Sequence, residues 1–204
     1  MDRDAFIRAC REGGTAIERA LRELDRSFFA RLYQIGMQSL HDADAAKDLV
    51  QDTFIKVWQR CATFRGDSEL LPWIKVILRH GAIERLRRRN LEVPLEDDQG
   101  LTGEAALGIV NLSLESHDTP ERAAEQRERA EAFSRGWAQF QKDDPLHASV
   151  MVWIVEDGLS NDDIAQLLER SPGATREFIS QCRKRVRLYL TEWYALAWKS
   201  GETR

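Results

Sequence analysis

The sequence predicts an all-α protein: two small helical domains joined by an acidic, flexible linker. Three observations carry this expectation. Apolar residues recur at the three-to-four spacing of an α-helix through most of the chain. No proline occurs from Asp4 to Leu40. Between Leu91 and Pro120 the periodicity lapses, and that stretch holds Glu92, Glu96, Asp97, Asp98, Glu104, Glu115 and Asp118 with no lysine or arginine. The expected organisation is a domain over residues 1–90, a linker over 91–120 and a second domain over 121–204.

Composition agrees. A chain of 204 residues, 43% hydrophobic and 31% charged, is that of a folded, helix-rich protein. Thirty basic against thirty-four acidic residues leave a net charge of −4, so any contact with nucleic acid has to be local. Cys10, Cys61 and Cys182 are scattered, with no CxxC and no nearby histidine pair, which argues for a reducing compartment and against a disulfide framework or a zinc site. No charged-then-apolar leader opens the chain and no run approaches a membrane span, so the expected location is the cytoplasm.

The first elements are explained by packing. Phe6, Ile7 and Cys10 form a short apolar face that ends at Gly13-Gly14, after which Thr15 is placed to cap the next helix. Ile17, Leu21, Leu24, Phe28, Leu32 and Ile35 then mark a longer amphipathic helix.

The helix from Asp44 to Arg60 says more. Ala46, Leu49, Val50, Thr53, Phe54, Val57 and Trp58 project to the core side. Asp48, Gln51, Asp52 and Gln59 share the other side with Ile55. An apolar anchor inside a polar rim is the footprint of a protein partner, although single exposed isoleucines are also common.

A glycine-containing loop, Phe64-Arg65-Gly66-Asp67-Ser68-Glu69, leads to Pro72, expected at the start of the next helix. That helix, Trp73 to Asn90, buries Ile74, Ile77, Leu78 and Gly81 on one stripe and carries Lys75 and Arg79 on another face. Arg85, Arg87, Arg88 and Arg89 crowd its last turn, with Glu84 as the nearby acid. Cations favour a helix C-terminus, but four together repel one another unless a polyanion such as nucleic acid neutralises them. A solvated basic face is the plainer alternative.

After the acidic stretch, which reads as a tether or as a strand that fills a basic groove on a partner, the helical pattern returns from Glu121 to Gln141 with Ala124, Phe133, Trp137 and Phe140 as core candidates. Leu146 to Glu156 is a short apolar helix. Ser160-Asn161-Asp162-Asp163 is a capping-box pattern, and Ser171-Pro172 places a cap and a first-turn proline before a second helix. That helix buries Thr175, Ile179, Cys182, Val186 and Tyr189 and frees Arg176, Glu177, Ser180, Gln181, Arg183, Lys184 and Arg187. Two helices, a tight turn and a basic outer face make a helix-turn-helix. Trp193, Tyr194 and Trp198 are expected to close the core of this domain, with docking on a partner as the alternative.

No catalytic constellation competes. His41, His80, His117 and His147 are isolated, no serine or cysteine has a nucleophile's setting, and no glycine loop cradles phosphate, so neither enzymatic activity nor a cofactor or metal is expected.

Three blocks, Asp48–Gln59 (DLVQDTFIKVWQ), Phe64–Arg89 (FRGDSELLPWIKVILRHGAIERLRRR) and Gly158–Arg187 (GLSNDDIAQLLERSPGATREFISQCRKRVR), resemble regions 2 and 4 of an extracytoplasmic-function sigma factor of bacterial RNA polymerase. The resemblance implies a transcription initiation factor that binds core polymerase and directs it to promoters. Asp48, Gln51, Asp52 and Ile55 would dock on the β′ clamp helices, and the second domain would meet the β flap. Arg65, Gly66, Asp67, Ser68, Trp73, Lys75, Arg79, His80, Arg85, Arg87 and Arg88 would engage the −10 element, with Trp73 either stacking on a base or packing the core. Thr175, Arg176, Glu177, Ser180, Gln181, Arg183 and Lys184 would meet the −35 element.

Departures from the family pattern bear on control. Ala45-Ala46-Lys47-Asp48 stands where an acidic run is usual, which removes two carboxylates and reverses one charge. Leu70-Leu71-Pro72 and His80 depart in the basic helix, and Ala174, Thr175, Glu177 and Phe178 in the recognition helix, so promoter sequence does not carry over. Phosphorylation of Thr53, the only threonine of its helix, would restore negative charge if a Ser/Thr kinase reached it; against this, Thr53 projects to the core. Control by an anti-sigma protein is equally open. A free-standing helix-turn-helix regulator leaves the Asp48 face without a task, and a helical adaptor leaves the arginine cluster unexplained; on the sequence both stay open.

Overall fold

The structure, a computed structural model, describes residues 2–91 and 120–199. The acidic stretch expected as a linker therefore lies outside the described residues apart from its two ends. Contacts divide the chain into two compact units, Met1–Leu95 and Glu96–Arg204. Every regular element among the described residues is helical.

The first unit contains α1 (Arg3–Glu12), α2 (Gly14–Leu40), α3 (Ala43–Arg60), a 3-10 turn (Cys61–Thr63) and α4 (Leu70–Leu91). α2 buries Ile17, Leu24, Leu32 and Ile35 along the expected stripe and packs on α3, and α4 packs against both. Each such side chain removed from water contributes about 1.5–3 kcal/mol, and together they fix the orientation of α3 and α4. α3 is capped by Asp42, whose carboxylate accepts the Ala45 N–H at 2.8 Å. Thr15 does not cap α2. The helix begins one residue earlier, at Gly14, with Gly13 in the cap position and no side-chain cap bond. α4 likewise begins two residues before Pro72, which is tolerated because first-turn N–H groups have no partner within a helix.

The second unit contains α5 (Pro120–Asp143), α6 (Pro145–Val155), α7 (Asn161–Leu168), α8 (Pro172–Tyr189) and α9 (Thr191–Lys199). α6 is apolar all round and buries Leu146, Val150, Met151, Val152 and Trp153, so it forms the centre of this unit. α5 packs on α6, α8 and α9. At Gly136 a β-carbon would fall 2.3 Å from the Tyr189 carbonyl oxygen, so the approach of α5 to the end of α8 requires glycine. Phe140 is buried as expected, whereas Ala124 is exposed and Phe133 is 38% exposed, its ring stacked on Trp137. Trp193 packs edge-on against Phe133 at 6.0 Å. Trp198 does not close the core; it is 76% exposed.

Candidate functional site

α3 presents its polar face as the periodicity requires. Ala46, Leu49, Val50, Thr53 and Val57 are buried, which leaves Asp48, Gln51, Asp52, Ile55 and Gln59 exposed on the opposite side. Ile55 is 51% exposed. Trp58, expected on the core side, is in fact 55% exposed. It lies about 120° round the helix from the centre of the buried stripe, beyond the arc that packing covers. The face therefore carries two adjacent apolar side chains, Ile55 and Trp58. Lys47 is also exposed.

Thr53 is 1% exposed, and its hydroxyl donates to the Leu49 carbonyl at 2.7 Å. In this fold it is a packing residue whose hydroxyl is turned onto its own helix.

The loop after α3 is held from below by α1. Arg3 Nη1 donates to the Gly66 carbonyl at 3.0 Å. Gly66 has φ of 80°, where a side chain would be strained, and a β-carbon there would sit 3.1 Å from Ile7 Cδ1. Phe64 is buried, and Arg65, Asp67, Ser68 and Glu69 are exposed on this pinned loop. Trp73 belongs to the packing of the loop: its ring lies 4.9 Å from that of Phe64 and 6.2 Å from that of Phe6. Of the two expectations for Trp73, stacking on a base or packing the core, the structure shows packing: the ring is a half-buried member of an aromatic cluster.

Along α4 the cationic residues separate. Arg79, expected on the phosphate-facing side, is only 4% exposed and does not belong to the cationic surface of α4. α4 packs against both α2 and α3, and the resulting wide buried arc takes in Arg79 along with Leu78 and Ala82. Lys75 and His80 are half-buried, and His80 Nδ1 lies 2.8 Å from the Val76 carbonyl oxygen. Arg87 and Arg88 are exposed. Glu84 is not the sole offsetting acid. Arg85 Nη2 reaches Asp52 Oδ2 on α3 at 2.5 Å, a partner 33 residues away in sequence. Glu84 pairs with Arg88 and, at 3.6 Å, with Lys56, and these two cations hold its carboxyl below the usual carboxylate range. A groove of about 350 Å³ runs between α3 and α4, lined by Asp52, Ile55, Lys56, Glu84, Arg85 and Arg88 among others. The carboxylate face and the arginine cluster, separate in sequence, are thus one continuous surface.

In the second unit α7 and α8 form the helix-turn-helix. The capping box is complete: Ser160 Oγ accepts the Asp163 N–H at 3.2 Å and Asp163 accepts the Ser160 N–H at 2.9 Å. Ser171 caps α8 by accepting the Ala174 N–H at 3.3 Å, with Pro172 in the first turn. Arg176, Glu177, Ser180, Gln181 and Arg183 are exposed and Lys184 half-buried, so the expected outer ridge exists. Thr175 is excluded from it. The side chain is fully buried, and its hydroxyl donates to the Ser171 carbonyl at 2.9 Å, bracing the turn. Phe178 is buried too, with His147 stacked on it at 4.8 Å and the Arg170 guanidinium over its ring at 4.5 Å. Asp144 accepts from Arg185 at 2.7 Å and from the Tyr189 hydroxyl at 3.3 Å, tying α6 to α8. Burial lowers the His147 pKa to about 4 despite the nearby Asp144, with Arg185 and Arg170 adding to the effect. The recognition ridge is therefore carried on a neutral histidine and a salt-bridged support.

The family model for sigma-70 region 2 matches residues 24–92, which span α3, the loop and α4. Curated relatives extend the likeness. The chain is 31% identical over 147 residues to the RNA polymerase sigma-H factor of Pseudomonas aeruginosa, covering 72% of this chain and 74% of that protein. It is 24% identical to the RNA polymerase sigma factor YlaC of Bacillus subtilis, covering 85% of this chain and 93% of the relative. It is 26% identical to the probable RNA polymerase sigma factor RfaY of Xanthomonas campestris over 75% of this chain, and spans 36% of that protein's length.

Proposed function

The chain belongs to the RNA polymerase sigma factors, in the extracytoplasmic-function group, and from that premise we propose how its two units divide the work. It is a transcription initiation factor that binds core RNA polymerase and brings it to promoters; the polymerase makes the bonds, and the factor has no chemistry of its own. In this reading the exposed α3 face of Asp48, Gln51, Asp52, Ile55 and Trp58 docks on the β′ clamp helices, with Ile55 and Trp58 as anchors inside a polar rim. The pinned loop Arg65–Ser68 meets the −10 element as it opens. Lys75, His80, Arg85, Arg87 and Arg88 hold phosphates, which position the strand and do not specify it. The α8 ridge of Arg176, Glu177, Ser180, Gln181, Arg183 and Lys184 reads the −35 element in the major groove, with the β flap supporting the second unit. The factor works in the cytoplasm, where polymerase and promoters are.

The observation that carries the assignment of the docking face is the pairing of two exposed apolar residues with carboxylates on one side of α3. Co-migration of the purified chain with core polymerase tests it. A stable one-to-one complex is expected from the wild type, and a much weaker one from Ile55→Asp. A folded wild type that fails to associate, or an Ile55→Asp chain that associates as tightly, overturns the reading.

A further inference from the structure

The two surfaces assigned above meet in one ion pair. Asp52 lies on the α3 docking face with its side chain 56% exposed; Arg85 lies in the α4 cluster with its side chain 26% exposed, and the two are 2.5 Å apart. The other terminal nitrogen of Arg85, Nη1, is buried and makes no hydrogen bond. Arg85 is therefore desolvated without full compensation, and Nη1 gains an acceptor only if the guanidinium turns out of the groove. Arg88, beside it, is held by Glu84, which also binds Lys56 on α3. In the unbound chain two of the cluster's cations are turned onto protein carboxylates: Arg85 across the groove to Asp52, and Arg88 along α4 to Glu84.

We propose that Asp52 is a positioning residue that keeps Arg85 from nucleic acid in the free factor, and that a partner engaging Asp52 on the α3 face releases Arg85 to a phosphate. This rests on the division of surfaces proposed above. It makes polymerase binding and DNA binding mutually reinforcing through one shared side chain, since linkage between two sites is reciprocal. Asp52 occupies Nη2 and Nη1 is buried, so a phosphate reaches the Arg85 guanidinium only in competition with Asp52 for Nη2. The size of the effect follows from the exposure of the pair. A solvent-exposed ion pair holds its partners by a factor of at most about five, so the restraint is a several-fold bias and not a lock. Its sign is what matters, because it lowers affinity for DNA when polymerase is absent.

The test is the affinity of the full chain for oligothymidylate over a salt series, for wild type, Asp52→Asn, the double variant Asp52→Asn/Arg85→Gln, and Asp25→Asn on α2 as a control that removes the same charge. Asp52→Asn is expected to bind about threefold to fivefold more tightly, and to steepen the salt dependence by about 0.7, the increment for one added single-strand phosphate contact. The gain should vanish in the double variant and be absent from Asp25→Asn. Equal gains from Asp52→Asn and Asp25→Asn would reduce the effect to net charge and overturn the proposal. Weaker binding by Asp52→Asn would overturn it in the other direction, making Asp52 a support that orders Arg85 for DNA. Binding of the wild type to core polymerase, measured in parallel, separates these outcomes from failure of the functional reading itself.

Discussion

Ile55 and Trp58 stand three residues apart on α3 and are both more than half exposed, at 51% and 55%. Adjacent positions at this spacing form one ridge of a helix, so the two side chains present a single apolar edge beside Asp48, Gln51 and Asp52. Neither supports the core. Ile55→Ala and Trp58→Ala should each weaken binding to core polymerase by about tenfold or more, as buried interface anchors do. Their thermal unfolding curves should overlay that of the wild type. Equilibrium titration of labelled core polymerase measures the first quantity and differential scanning calorimetry the second; unchanged affinity in both variants would put the interface elsewhere.

Arg79 and Arg88 are both cations of α4, yet one is 4% exposed and the other is on the surface. Arg79→Ala should destabilise the first unit by on the order of 2–3 kcal/mol, through lost packing and lost partners. Arg88→Ala should leave stability within about 0.5 kcal/mol and lower the salt slope of holoenzyme binding to single-stranded DNA by about 0.7. Urea unfolding and a salt series distinguish the two. The opposite pattern would show that the burial of Arg79 does not persist in solution.

The division between what could and could not be read in the sequence is visible along α3 and α8. The helices themselves follow from period and caps: Ser160, Asp163, Ser171 and Pro172 act locally, and their bonds form as the residue types require. The exposed faces follow as well, because a stripe of five buried residues on α3 leaves Asp48, Gln51, Asp52 and Ile55 on its far side. What fails depends on partners distant in sequence. Arg79 is buried because α4 packs on two helices, α2 and α3, and Trp73 is half-buried because Phe6 comes from α1. Asp52 neutralises Arg85 only once α3 and α4 are packed together. Thr175 was assigned to both the core and the DNA face; its full burial decides for the core. Its hydroxyl satisfies a backbone carbonyl one turn back, which the sequence does not distinguish from an outward-facing donor.

Thr53 and Lys47 lie on the same helix and should respond in opposite ways to added negative charge. Thr53 is 1% exposed, so Thr53→Glu buries an unpaired carboxylate and should destabilise the first unit by about 3 kcal/mol or more without strengthening polymerase binding. Lys47 is exposed, and Lys47→Glu should raise affinity for core polymerase severalfold at low salt with stability unchanged. A gain in affinity from Thr53→Glu in a fully folded chain would reverse this account and reopen control by phosphorylation at Thr53.

The stability of the second unit should fall in mild acid because of His147. Its pKa is about 4 in the folded protein against an ordinary value of 6.5, chiefly through burial. The unfolded chain takes up the proton first as pH falls, so the unfolded state binds more protons throughout this window and stability rises with pH across it. Between pH 6.5 and 4 this group alone costs on the order of 2–3 kcal/mol, and below that the loss levels off. His147→Gln should flatten the dependence in urea unfolding followed by circular dichroism. Parallel pH profiles for the two proteins would rule His147 out as the source.

The most direct measurement is run-off transcription by core polymerase on a library of genomic fragments, with and without the wild-type chain and with the Arg176→Ala/Arg183→Ala variant. The account predicts that the wild type produces new transcripts whose upstream sequences share two spaced elements. The variant should lose start-site selection chiefly through the upstream element while still binding polymerase. No new transcripts from a folded chain in the presence of active core polymerase, or sequence-specific duplex binding by the chain alone with no effect on initiation, would contradict it.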